Sequence, residues 1–552
     1  MKRTISDFAS NTTAHGWGNV TQRTTKLGRT IWIGLCLGCT GVAIWQVITI
    51  ILRYGTFDTR DRIVVKNGDI VFPSVTVCPL VGMPASGYDQ LFQDMREGKQ
   101  ETIPLMRLTE LLQNLTAYVD NNISQSAQSE KLEFYEEFHT QLYSFQGFFD
   151  NSKKSIQDYS HKQDNFIPVC VYQGKSCLKS DFTTLDHHEH YTCFTFNGGN
   201  TTIAKPSTKI SGPKGGLSLT LYLDAVEGSL IYNPNYATSG SQGVRVVIHE
   251  KGTLPDPEND GFDIEPGHSV NAALSVNERQ LMKAPWGECA DHDSEAYGSF
   301  KYTKKHCLLK CLQKTIYETC GCVQSSLPVD DDMAHTRYCL KLHLNEWVKL
   351  QSNEYNLTII QNDLEQLRCQ NNFSLSDFVG QDGCQCREKC LYQSYEMTLS
   401  QSVWPLEGVE IDLYCRSLMN MDNYINSSIY NSFHDVFPEY CGHAKSEEEN
   451  KILRDTYGIK LRKNVVRLNV YFKDLDTKIT QQAEDFTINS MISEIGGSFG
   501  FFIGMSVITI AEVIILCLNL AQVIRKQMVI SPTHQEKEMA RKNAWVETWP
   551  KQ

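Results

Sequence analysis

Two long apolar runs decide what kind of molecule this chain can be. Thr30 to Leu52 carries no charged residue, and Phe499 to Ile524 carries one, Glu512. Each run is long enough to cross the roughly 30 Å hydrocarbon core of a bilayer as a helix. The first starts too far from Met1, and lacks the small-residue cleavage site, to read as a removable signal, so it is expected to remain as an anchor. Lys2, Arg3, Arg23, Lys26 and Arg29 precede the first run, and Arg525 and Lys526 follow the second. The excess of cations on those flanks predicts that both termini are cytoplasmic and that the middle lies outside the cell. The expected division is a cytoplasmic segment (1–29), a first span (30–52), an extracellular domain (53–498), a second span (499–524) and a cytoplasmic tail (525–552).

Cysteine usage points the same way, because disulfides persist outside the cell and are rare in the cytosol. Of 19 cysteines, Cys36, Cys39 and Cys517 fall inside the spans; the other 16 lie between them and neither tail has any. Ten sit between Cys289 and Cys390, including Cys307-x3-Cys311, Cys320-x-Cys322 and Cys384-x-Cys386-x3-Cys390. A zinc cluster is the competing reading, but the set lacks matched Cys-x2-Cys pairs, and disulfide staples explain it better. Sequons at Asn114, Asn122, Asn200, Asn356, Asn372 and Asn426 share the segment and predict glycosylation there, although Asn11 and Asn19 match the same pattern in the N-terminal tail. Net charge is −12, and both tails are basic, so the middle segment is strongly acidic. Such a body repels anionic partners, nucleic acid among them, and concentrates cations; a solvated secreted surface would look similar.

Strand signals flank the two ends of this middle segment: Ile70 to Cys78, Gly216 to Asp224, Gly243 to Glu250 and Val465 to Phe472 are rich in β-branched and aromatic residues with partial alternation. One central sheet is the simplest arrangement for them. Residues 88–150 and roughly 341–368 carry apolar residues at mixed three and four spacing and predict helices. The fold class is therefore α+β, with two transmembrane helices.

The second run holds the most informative residue. A carboxylate near mid-bilayer costs roughly 2.5 to 3.5 kcal/mol on insertion scales, so Glu512 is expected to face water or a partner. Met505 lies seven residues before Glu512 and Asn519 seven after, so all three are expected to share one helix face, and Gly504-Met505-Ser506 is a small-residue stretch where backbones approach or the helix loosens. Helix packing around a structural acid is the blander alternative. One or two spans cannot enclose a water-filled path, so a pore here requires an oligomer. Asp186-His187-His188-Glu189-His190 superficially suggests a metal site, but consecutive residues point different ways on any regular element, which favours an exposed loop and no metal. No nucleophile elbow, phosphate loop, HExxH or redox Cys-x2-Cys occurs in the middle segment. The sequence therefore points away from an enzyme and implies no cofactor.

With these residues in view, the chain closely resembles the degenerin/epithelial sodium channels, a family of trimeric amiloride-sensitive cation channels. His15-Gly16, FPSVTVCP (Phe72 to Pro79), YTCFTFN (Tyr191 to Asn197), GPKGGLSL, APWGEC (Ala284 to Cys289) and SEIGGSFGFFIGMSVITIAE (Ser493 to Glu512) are similar to family signatures. The resemblance implies a homotrimer that passes Na⁺, is blocked by amiloride and sits in the plasma membrane with a hand-shaped ectodomain of palm, ball, finger, thumb and knuckle. It also implies the pairs Cys78 with Cys193, Cys170 with Cys177, Cys289 with Cys390, Cys307 with Cys386, Cys311 with Cys384, Cys320 with Cys369 and Cys322 with Cys339. Cys415 and Cys441 are left for an eighth bridge outside the acid-sensing pattern. By the same resemblance Gly504, Met505 and Ser506 form the constriction, with Glu512 below it. His15 and Gly16 are a cytoplasmic gating motif, Ser490 is the small residue of the outer mouth, and Trp286 meets an aromatic above the first span, Tyr54 or Phe57. Carbonyl and hydroxyl oxygens at such a constriction can replace the hydration of Na⁺.

Which stimulus opens the channel is less constrained. Phe57 and Asp58 stand where acid-sensing relatives carry histidines, and a proton switch near neutrality wants a His. The segment Lys131 to Phe149 is dense in aromatics, and its Glu133, Phe134, Tyr135, Glu136, Glu137 and Phe138 would suit a short aromatic, Arg-containing peptide; a helix burying its Phe residues would read alike. The long region between Cys78 and Cys170 and the extra cysteine pair resemble the FMRFamide-gated group, which implies an extracellular amidated neuropeptide as ligand. Proton-gated and constitutive channels of the same family, and a two-span receptor without a pore, are the alternatives.

Overall fold

The computed structural model describes residues 8, 12–13, 16–22, 25–99, 155–187, 190–198, 208–225, 241–289, 291, 300–330, 332–339, 341, 343, 356–371, 373, 384, 386–419, 428–442 and 446–525. They divide into two compact units. One comprises Met1–Arg62, Ala284–Gly287 and Gln482–Gln552, and the other Ile63–Lys283 and Glu288–Gln481. The longer helices are α1 (Lys26–Gly55), α2 (Ala85–Arg96), α3 (Lys304–Cys320), α4 (Leu357–Asn371), α5 (Ile488–Ile503) and α6 (Val507–Arg525).

Twelve strands are described: β1 (Thr59–Asn67), β2 (Ser74–Pro79), β3 (Val169–Tyr172), β4 (Lys175–Ser176), β5 (Phe182–His187), β6 (Tyr191–Phe196), β7 (Leu217–Tyr222), β8 (Val244–His249), β9 (Phe262–Ile264), β10 (His268–Gln280), β11 (Leu391–Val403) and β12 (Val465–Glu484). The larger unit arranges them in two sheets, of order β5-β6-β2-β8-β9 and β11-β10-β12-β7-β3-β4, with β1 also pairing β12. This corrects the expectation of one central sheet. The four sequence-legible strands split two and two: β2 and β8 pair antiparallel in the first sheet, β7 and β12 in the second. Strand β2 has neighbours on both edges, β6 and β8, so it has no edge left for β7 or β12.

Alternation explains the second sheet. Val270, Ala272, Leu274 and Val276 on β10 and Val466, Leu468, Val470 and Phe472 on β12 recur at every second residue and are buried. The two strands run parallel, with a bulge between Leu274 and Val276. Their inward faces join those of β2, β6, β7 and β8 in one core. Phe72 is fully buried at its centre, with its ring 5.0 Å from Tyr172, 6.2 Å from Phe196 and 5.7 Å from Phe472, so it touches strands of both sheets.

Eight disulfides staple this unit: Cys78–Cys193, Cys170–Cys177, Cys289–Cys390, Cys307–Cys386, Cys311–Cys384, Cys320–Cys369, Cys322–Cys339 and Cys415–Cys441. Helix α3 carries three of these cysteines. Thr303 caps its start by accepting from His306 N, and Gly321, at φ +66°, ends it in the left-handed conformation glycine tolerates. Cys307 and Cys311 lie one turn apart on the same face, which is why the closely spaced Cys384 and Cys386 can reach both. The eighth bridge abuts a separate aromatic core of Tyr222, Tyr414, Tyr430, Phe433 and Phe437.

Two other expectations need revision. Of the helix expected over 88–150, α2 supplies its beginning, and 100–154 lie outside the described residues; α4 covers the latter half of the 341–368 expectation and extends to Asn371. The acidic and histidine-rich stretch is not an exposed loop throughout: it joins β5 to β6, and His190 is buried. Its ring Nδ1 lies 3.1 Å from the Pro79 carbonyl oxygen and its ring stacks on His187 at 5.2 Å. Pairing β5 with β6 draws this end of the hairpin into the packed interior.

Candidate permeation site

Helix α1 has 30 residues, about 45 Å of helix, and α6 has 19, about 28 Å, both long enough to span a bilayer. Cys36, Ala43 and Ile50, seven residues apart, form the buried stripe of α1, while Ile31, Leu35, Ile44, Trp45, Ile48 and Leu52 are exposed. Helix α1 packs along α5. Thr487 starts α5: its hydroxyl accepts from Ser490 N at 3.1 Å and lies 2.9 Å from Ser490 Oγ. Ser490 is therefore part of a helix cap on an exposed surface.

The second run is not one continuous helix. Helix α5 ends at Ile503, and Gly504 takes φ +66°, the left-handed region. Gly504 N donates to Gly500 O and Met505 N to Phe499 O, closing the helix. Helix α6 then starts from Ser506. Thr509 N donates to Ser506 Oγ at 3.4 Å and Ser506 N donates to Thr509 Oγ1 at 3.1 Å, a reciprocal cap. Met505 consequently does not share a helical face with Glu512 and Asn519, which corrects the continuous-helix expectation. Glycine permits the turn, and the hydroxyls of Ser506 and Thr509 make the restart favourable.

Non-helical backbone inside a span is tolerated where protein buries it or where it lines a water-filled cavity, because hydrocarbon offers no partner for its N–H and C=O groups. The carbonyls released by the break are the kind of oxygen that can replace water around a cation. Phe501, Val507 and Ile508 stay largely exposed in the single chain. Such apolar surface suits lipid or further copies of the chain.

Glu512, in the second turn of α6, is bound by the N-terminal segment. Its Oε2 accepts from Thr12 Oγ1 at 3.0 Å, Thr13 N at 3.0 Å and Thr13 Oγ1 at 3.3 Å. Thr13 Oγ1 also lies 2.6 Å from Thr509 Oγ1. Gly16, at φ +92°, packs so close to α1 that a Cβ would come within 2.8 Å of Cys36 Sγ. His15 lies outside the described residues. Thr12, Thr13 and Thr509 were not singled out from the sequence; the available signal was polar residues at 506, 509 and 512, a three-residue spacing that puts them on one face of an otherwise apolar helix.

Trp286 meets Phe57, with ring centroids 5.5 Å apart, and Tyr54 packs on Phe57 at 5.7 Å. Among the sequons, Asn356 begins α4 and its Oδ1 accepts from Thr358 N; Asn114, Asn122, Asn200, Asn372 and Asn426 lie outside the described residues, as do Glu133, Phe134, Tyr135, Glu136, Glu137 and Phe138. Within the larger unit a cavity of about 1000 Å³ is lined by residues that include Asp186, His187, Tyr302 and Tyr395. Acids around it face lysines: Asp256 with Lys305, Asp330 with Lys310, and Glu250 with Lys301 at 3.4 Å. Among the described residues no group of three side chains is placed to hold a metal ion.

Residues 8–516 match the amiloride-sensitive sodium channel family. The chain is 26% identical to the FMRFamide-activated amiloride-sensitive sodium channel of Cornu aspersum, over 94% of this chain and 83% of the relative. It is 23% identical to the epithelial sodium channel subunit gamma of Pan troglodytes (93% and 79%) and 24% identical to the bile acid-sensitive ion channel of Mus musculus (93% and 87%). Because the family match takes in the whole first membrane helix, all eight disulfides, the break at Gly504–Ser506 and the first half of α6, the chain belongs to the amiloride-sensitive, degenerin/epithelial sodium channel family.

Proposed function

We propose that three copies of this chain bring their second spans together around a Na⁺-selective pore, opened by an extracellular amidated peptide of the FMRFamide type, with both termini in the cytoplasm. The observation that carries the pore is the helix break at Gly504–Ser506 inside an apolar span, which needs water or protein around it. Gly504, Met505 and Ser506 would supply the constriction and Glu512 a fixed negative charge on its cytoplasmic side. Peptide gating is supported by similarity along 94% of the chain to a channel described as FMRFamide-activated. The acidic and aromatic residues Glu133 to Phe138 are the first candidates for peptide contact, with carboxylates for an arginine and rings for a phenylalanine. Phe57 and Asp58, in place of histidines, make proton gating the weaker alternative.

Expression of the chain alone in oocytes under voltage clamp tests this. Micromolar amidated Phe-Met-Arg-Phe peptides should evoke an amiloride-blocked Na⁺ current. A current to acid and none to peptide would replace the stimulus and keep the pore; a surface-expressed chain silent to both, even with a large residue at Ser490, would favour a receptor without a pore.

A further inference from the structure

The contacts of Glu512 carry an inference about ion selectivity that extends the pore reading above and rests on it. Three donors converge on one carboxylate oxygen, Oε2, and none among the described residues reaches Oε1. The donors are also ordered. An ionised carboxylate only accepts, so the Thr13 hydroxyl proton goes to Glu512 Oε2 at 3.3 Å, which leaves Thr13 Oγ1 to accept from the Thr509 hydroxyl at 2.6 Å, while Ser506 N donates to Thr509 Oγ1. A one-way chain of hydrogen bonds thus runs from the residue that restarts the helix to the acid. In such a chain each bond polarises the next. Thr509 is 1% exposed, so the Thr509 end of the chain is sheltered from competing water.

We propose that Thr12 and Thr13 clamp the Glu512 carboxylate, fixing Oε2 and presenting Oε1 to the permeating cation, so that the N-terminal segment sets selectivity from the cytoplasmic side of the pore. Hydrogen bonds to an ionised group are stronger than neutral ones and hold it in one geometry. Fixing the carboxylate sets where its free oxygen stands, and the number and placement of coordinating oxygens are what tell Na⁺ from K⁺. Gly16 packed against Cys36 anchors the same segment to α1, so the clamp is held at two points. Thr12 and Thr13 act through Glu512 and are positioning residues.

The test compares Na⁺ and K⁺ reversal potentials for T13V, T12V, T13S, E512Q and the E512Q/T13V pair, in channels opened by peptide or by a large residue at Ser490. T13V should lower the Na⁺ to K⁺ permeability ratio by about threefold or more, a fraction of one charge-assisted hydrogen bond. T13S, which keeps both donors, should preserve it. In the E512Q background T13V should add nothing further, since its target is gone. An unchanged ratio in both T13V and T12V, or additive effects of T13V and E512Q, would overturn the clamp. An unchanged ratio in E512Q itself would instead remove Glu512 from the conduction path. A second measurement needs no current: T13C/T509C, oxidised in intact membranes, should form a disulfide detectable by mass spectrometry. Its absence, with both thiols alkylated singly, would refute the proximity on which the clamp depends.

Discussion

The ring of Phe57 meets Trp286 edge to face, centroids 5.5 Å apart and planes at 84°, and Phe57 holds this position with φ at +51°. A bulky residue adopts that left-handed backbone only at a cost. The surrounding turn maintains it: Phe57 N donates to Tyr54 O, Thr56 Oγ1 to Asp58 Oδ2, and Asp485 N to Asp58 O at 3.0 Å. The end of α1, the approach to α5 and the Trp286 turn thus meet at one strained residue. An aromatic pair contributes about 0.5 to 1.5 kcal/mol beyond its buried area. Phe57→Ala and Trp286→Ala should each shift the half-activating concentration of the opening stimulus by roughly threefold to tenfold. The double variant should do no more than either alone. Additive shifts, or none at preserved surface expression, would separate this pair from gating.

Gly504→Ala places a Cβ on a left-handed residue, at a cost of roughly 1 to 2 kcal/mol, and should drive the break toward regular helix. Single-channel recording should show reduced conductance. Replacing Ser506 by a bulky residue should shift the Na⁺ over K⁺ reversal potential. Wild-type conductance and selectivity in both variants would move the constriction elsewhere.

Loss of the Cys415–Cys441 bridge should be structural in effect. Its cysteines flank the buried Tyr414, Leu418 and Phe437, and removal of a native disulfide typically costs about 2 to 5 kcal/mol. C415S/C441S should lower the melting temperature of the purified channel and leave reversal potentials alone. A melting temperature equal to wild type would show that the aromatic core holds this region unaided.

Acid should destabilise the larger unit. Burial pushes His161 down to about 3 and His249 to about 4; burial, then Lys310, pushes His306 to about 4, opposed by Asp330. Both His249 nitrogens lie 2.9 Å from hydroxyls, Thr76 Oγ1 and Thr253 Oγ1. With folded pKa values below the unfolded value near 6.5, these groups bind protons first in the unfolded chain. Stability is therefore full above pH 6.5 and lost as pH falls toward 4, by about 2 kcal/mol per buried histidine at pH 5. Thermal unfolding of the full chain in detergent at pH 7.5 and pH 5 reads this directly, and His249→Gln should flatten part of the slope. Equal stability at the two pH values would contradict it.

Hydropathy and cysteine placement made the two membrane segments and the stapled middle legible from the chain alone, because bilayer thickness and redox compartment act on composition and need no knowledge of contacts. Four of the twelve described strands, β2, β7, β8 and β12, were legible too, since burial on one face leaves a period of two. Their partners were not. Alternation says which face of β2 or β12 is apolar and says nothing of which edge pairs with which strand, so one sheet was expected where packing around Phe72 makes two. The helix break was visible only as small residues at 504–506; the left-handed Gly504 and the Ser506–Thr509 cap turned that stretch into an interruption. His190 looked solvent-facing until the Pro79 carbonyl gave its ring a buried partner. Thr12 and Glu512 are 500 residues apart in sequence. No local pattern reports a hydrogen bond across that separation, and only the folding of the N-terminal segment back onto α6 brings the hydroxyl to the carboxylate.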